Sequence, residues 1–76
     1  MQPINEHDRV VLKTDLPGQK LATGDVGTVV HVHQKGAAYE VEFVALDGET
    51  VAVVTVEASQ VRHVDPREIT HARRVA

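Results

Sequence analysis

Two histidines, His31 and His33, stand two residues apart in the run Thr28-Val-Val-His-Val-His33. Alternate side chains of an extended chain leave the same face, so this pair could supply the first two nitrogens of a zinc or nickel site. A third ligand would have to come from His63, His7 or a carboxylate such as Glu40 or Glu42 on a neighbouring strand. The plainer reading is two exposed imidazoles opposite an acidic strand, making ordinary cross-strand contacts. Neither the spacing nor any cysteine lifts the metal site above it. The same histidines beside Glu40 or Glu42 could also act as a pH switch.

Catalytic constellations are weaker still. Ser59 is the only serine, and His63 and Asp65 follow it closely. That spacing matches no hydrolytic triad, and no Gly-x-Ser-x-Gly elbow presents the hydroxyl. Ser59 is expected to stabilise a turn instead. Glu40 and Glu42 could share acid and base work across a cleft, but an alternating strand explains them more simply as its solvated face. With no cysteine there is no thiol nucleophile, thiolate metal site or disulfide. No enzyme activity, cofactor or small-molecule substrate is expected.

Arg62, Arg67, Arg73 and Arg74, with Lys13 and Lys20, could build a basic edge. The formal net charge of −3 gives no long-range attraction for phosphate backbones. Tyr39 and Phe43 are the only aromatics, and both fall on the face expected to be core, so no stacking platform is left for bases. Nucleic acid is therefore a disfavoured partner.

The elements that must position these residues are short strands. At 76 residues the chain makes one domain, and a chain of that size buries only about 60% of its unfolded surface. Arg9-Val-Val-Leu-Lys13 reads as a first strand, followed by a loop over residues 14–23. Two glycines in Gly24-Asp-Val-Gly27 bracket a tight turn before the strand carrying His31 and His33, which Gln34-Lys-Gly-Ala37 ends. Tyr39-Glu-Val-Glu-Phe-Val44 alternates strictly, with Tyr39, Val41 and Phe43 on one face and Glu40 and Glu42 on the other. Asp47-Gly48 predicts a primed hairpin turn into Val51-Ala-Val-Val-Thr-Val56. Glu57-Ala-Ser-Gln60 suits a 3₁₀ turn, and Val61-Arg-His63 a last strand. Asp65-Pro66 then breaks the pattern, dividing residues 1–64, the barrel domain, from residues 65–76, a flexible or partner-binding tail. Residues 1–9 hold no apolar run of signal-peptide length and no segment is long enough to span a bilayer, so no membrane association is expected and the chain is read as cytoplasmic.

Asp8-Arg-Val-Val-Leu12, Gly24-Asp-Val-Gly-Thr-Val-Val30 and Tyr39-Glu-Val-Glu-Phe43 with Asp47-Gly48-Glu49 together resemble the bacterial family known as domain of unknown function 4926. The resemblance runs from about Asp8 to Val64 and implies an SH3-like barrel, with no functional residue to carry over. Small proteins of this kind look like products encoded beside a larger partner, sometimes as the neutralising member of a toxin and antitoxin pair. The segment from Gly24 to Val30 alone is also similar to the start of KOW-type ribosomal barrels and of the nitrile hydratase β-subunit barrel.

The expected fold is all-β, a small five-stranded SH3-like barrel that hides its edges by closure, with a core on Val10, Leu12, Val30, Val41, Phe43, Val54 and Val61. A small barrel has room inside for one file of side chains per strand, so the pairs Val10-Val11, Val29-Val30 and Val53-Val54 must each send one valine outward. Alternatively, Leu16 and Leu21 of the loop cover them. The expected function is non-catalytic protein-protein interaction, by self-association or by docking on a larger partner, with Val11, Val29, Leu16, Glu40, Glu42 and Arg62 as contact residues. A KOW-like RNA-binding barrel is the alternative, and a histidine-based metal binder the third reading.

Overall fold

The valine-rich runs all become strands. In the computed structural model, which describes residues 3–75, they follow as β1 (Arg9–Leu12), β2 (Val26–His33), β3 (Ala38–Val44), β4 (Thr50–Glu57) and β5 (Val61–His63). Met1, Gln2 and Ala76, the outermost residues assigned above to the domain and the tail, lie outside the described residues. Neighbouring strands are antiparallel in the order β4-β3-β2-β1-β5. This is the expected all-β, five-stranded SH3-like fold with one difference at the seam. β4 and β5 are the outer strands of a single sheet and are not hydrogen-bonded to each other, so closure does not hide the edges. The 3₁₀ turn Ala58–Gln60 leads directly from one to the other, and the sheet curls until Val54, Val56 and Val61 share one core. Among the described residues no helix is long and apolar enough to cross a membrane.

Val10, Leu12, Val41, Phe43, Val54 and Val61 are buried as expected, joined by Leu21, Val29, Tyr39 and Val56. Val30 is the exception, 40% exposed while Val29 is fully buried. The cause is a β-bulge: pairing with β3 runs Val29 to Val41 and then His31 to Glu40, leaving Val30 as an extra residue. Val29 faces in, Val30 and His31 are both exposed, and Val32 packs against the core again.

The two glycines around Asp25 do different work, and only one belongs to a turn. Gly24, at φ +95°, lets the chain reverse between Ala22 and Asp25, where the Asp25 N–H donates to the Ala22 carbonyl at 3.0 Å. Gly27 lies inside β2, where its missing side chain leaves the space that Val41 and Phe43 fill. The hairpin after β3 also differs from the expected primed turn. Gly48 N–H donates to the Ala45 carbonyl at 2.9 Å, so the turn spans four residues, and Gly48 alone among them has positive φ.

Residues 65–75 form no helix or strand, yet they are tied to the barrel at two points. Arg62 on β5 grips Glu68 with two hydrogen bonds of 2.8 and 2.7 Å. Arg73 donates Nε to Asp25 at 2.8 Å and Nη2 to both Asp25 and the Lys20 carbonyl. These anchors lie on either side of β1, one at β5 and one at the start of β2. Between them Val11, which pairs with Val26 and Arg62, is only 5% exposed although it stands apart from the core cluster.

Candidate interaction surface

The face of β2, β3 and β4 turned away from the core is a mosaic of valine, carboxylate and hydroxyl groups. Strict alternation places Glu40 and Glu42 there, between β2 and β4. Glu40 is paired with His31 on one side and Thr55 on the other, and Glu42 with Thr28 and Val53. Both carboxylates are held from β4: Thr50 donates its hydroxyl to Glu42 at 2.8 Å, and Thr55 donates to the Glu40 oxygen that also faces His33 of β2. The Thr55 hydroxyl, aided by the imidazoles of His33 and His31 and only partly opposed by burial, holds the Glu40 carboxyl below its ordinary range. It therefore presents a fixed negative charge.

Val30, Val53 and Val44 stand exposed on this face, at 40%, 51% and 48%, with Val26 at 38%. At one end of the face Arg9, Val26, Thr28, Glu42, Val44 and Leu46 line a depression of about 270 Å³. Leu46, at the tip of the hairpin, is fully exposed. Glutamates separate these side chains, so the surface is a chequered one rather than a continuous valine strip.

Several expected contact residues stand elsewhere. Val11 and Val29 are buried, Val11 on the outward side of β1 and Val29 in the core, so neither is offered to a partner. Their places are taken by Val30 and Val53, whose partners in the valine pairs turned inward. Leu16 packs against the core and bridges Leu21, which fills it. Arg62 is exposed but engaged by Glu68, whose carboxyl its guanidinium and the Asp65 N–H lower to about 2. Val44 and Leu46 were missed. The only signal for Val44 was its place in the alternation, beyond Glu42 on the wet face.

Four of the five histidines fall into two places, and His71 stands exposed on the tail. His31 and His33 meet edge to face, with ring centroids 4.6 Å apart, and His33 Nε2 lies 3.5 Å from Glu40. His31 Nδ1 is 3.8 Å from Glu6, which is also 3.9 Å from His7. His63, on β5, pairs with Val10 of β1, the strand that separates it from β2. Among the described residues no group of three or more histidine, cysteine, aspartate or glutamate side chains is placed to hold a metal ion. Ser59 does not hold its turn as expected: Glu57 and Gln60 do, each side chain accepting from the other's backbone N–H, at 2.7 Å for the Glu57 N–H.

What this surface offers chemically is apolar contact from the valines and Leu46, and charged acceptors fixed at two-residue spacing. No curated protein and no solved structure is detectably similar to the chain. Residues 6–63 match the domain of unknown function DUF4926, which covers the curled sheet from the Glu6 contact with His31 to the end of β5, and the chain belongs to that family.

Proposed function

We propose that this chain is a non-catalytic protein-protein interaction module that docks on a larger protein through the outward face of β2, β3 and β4. One observation carries the reading. In two of the valine pairs one member completes the core while the other, Val30 or Val53, is left about half exposed on a face that also bears Val44, Glu40 and Glu42. Valines interleaved with fixed carboxylates offer a partner apolar contact and charge pairing on the same face, although each valine alone would be ordinary surface.

The test is to recover the tagged chain from its own cells under gentle conditions, with light scattering of what elutes. The native chain should carry one partner at fixed stoichiometry. Val30→Lys and Val53→Lys should each release that partner while leaving the chain folded, since neither side chain is in the core. Recovery of the chain alone, as a monomer, would overturn the reading. Recovery as a dimer that Val53→Lys dissociates would redirect it to self-association.

A further inference from the structure

We infer that the open edge of β4 accepts an extended basic segment of a partner protein as a sixth strand. This rests on the interaction reading above and deepens it by naming the element and the chemistry of the partner.

The edge is defined by hydrogen-bond parity. Ala58 N–H donates to the Ala37 carbonyl at 3.1 Å, and the β3–β4 register continues from that pair in steps of two. Val56 and Val54, paired with Tyr39 and Val41, therefore turn their backbone groups toward β3. Thr55 and Val53 turn theirs the opposite way, where no strand pairs. Glu57 shares their direction, but its N–H is taken by the Gln60 side chain at 2.7 Å. The open stretch is thus Val53 to Thr55, on a strand with no proline or lysine to blunt it.

Charge decides what fits. Thr55 and Thr50 of this strand hold Glu40 and Glu42 beside it by hydrogen bonds, while Glu49 and Glu57 flank the edge at either end. An incoming strand with Lys or Arg at alternate positions on the outward face would reach these carboxylates as its backbone pairs. A second copy of β4 fits poorly. Antiparallel pairing centred on Val53 sets Glu49 of each copy against Glu57 of the other, and registers shifted toward Glu57 need the N–H that Gln60 already holds.

The experiment uses the full chain, labelled with ¹⁵N, and two synthetic hexapeptides of alternating Lys-Val and alternating Glu-Val. The Lys-Val peptide should shift the amide signals of Val53 and Thr55 and slow their hydrogen exchange, and the Glu-Val peptide should do neither. Val53→Pro removes an N–H that the β3 ladder does not use; the chain should stay folded while the peptide binds at least about tenfold more weakly, a loss of about 1.4 kcal/mol. Glu40→Gln with Glu42→Gln should weaken binding and flatten its salt dependence. Absence of exchange protection at Val53 and Thr55, or equal response to both peptides, overturns the strand-addition proposal. It leaves the outward-face reading to its own test with Val30→Lys. A dimer of the chain alone with protected Val53 and Thr55 amides also overturns it, in favour of a second copy.

Discussion

Gly27 of β2 lies directly against Val41 of β3: a Cβ on Gly27 would stand 2.6 Å from Val41 Cγ1, with the Phe43 ring at 2.8 Å. Both neighbours are nearly or fully buried core side chains, so neither can move aside freely. Gly27→Ala should cost about 1–3 kcal/mol of stability, the usual penalty for overfilling a packed core. Urea unfolding of the variant against the native chain measures it, and an unchanged midpoint would mean the core is looser than this packing.

The valine pairs give a sharper test, because adjacent residues of identical chemistry should respond differently. Val29→Ala and Val54→Ala should each cost about 2–3 kcal/mol through lost burial and an unfilled space. Val30→Ala and Val53→Ala, at half-exposed sites, should stay within about 0.5 kcal/mol. Equal losses across either pair would contradict the bulge at Val30 or the facing of β4.

Acid should release the first tail anchor. The Arg62 guanidinium and the Asp65 N–H bring the Glu68 carboxyl down from 4.5 to about 2 on folding. A carboxyl depressed in this way contributes stability above the unfolded value and loses it as pH falls through the folded one. The anchor should therefore be intact at pH 5 and above and lost between 4.5 and about 2. A ¹³C NMR titration of the Glu68 carboxyl should find its midpoint near 2, returning toward the ordinary value in Arg62→Gln.

The second anchor can be weighed by a double-mutant cycle on Arg73→Ala and Asp25→Asn. Burial raises the Asp25 carboxyl, but the Arg73 guanidinium and the Ala22 N–H outweigh it and hold the group low. The Arg73 side chain is 37% exposed and that of Asp25 18%, so water still reaches the pair and its coupling should be about 1 kcal/mol. Its clearer signature is local: Arg73→Ala should speed amide exchange of the tail residues without unfolding the sheet.

Five strands, their order along the chain and the wet face of β3 were legible because each run is bounded by turn residues and β3 alternates without a break. Val29 and Val30 could not be told apart. An uninterrupted β-branched run carries no mark of its parity, and a bulge changes that parity partway along. Gly27 was misread for a related reason: a glycine required by a neighbour's bulk looks the same in sequence as one required by φ. The contact between Arg73 and Asp25 spans 48 positions and joins two residues with no local pattern, so nothing short of the fold could bring them together. The open edge of β4 follows from the failure of the outer strands to meet, which strand count alone does not decide.

The bulge at Val30 gives β2 an unusual tolerance. Losing one residue from a strand ordinarily inverts every side chain beyond the gap, turning the core outward for the rest of the element. In β2 the inward positions are Val29 and Val32, three apart, and deleting Val30 would bring them to the even spacing of a regular ladder. A gap that would wreck β3 would here merely straighten the chain, leaving Val32 inside and both histidines outside.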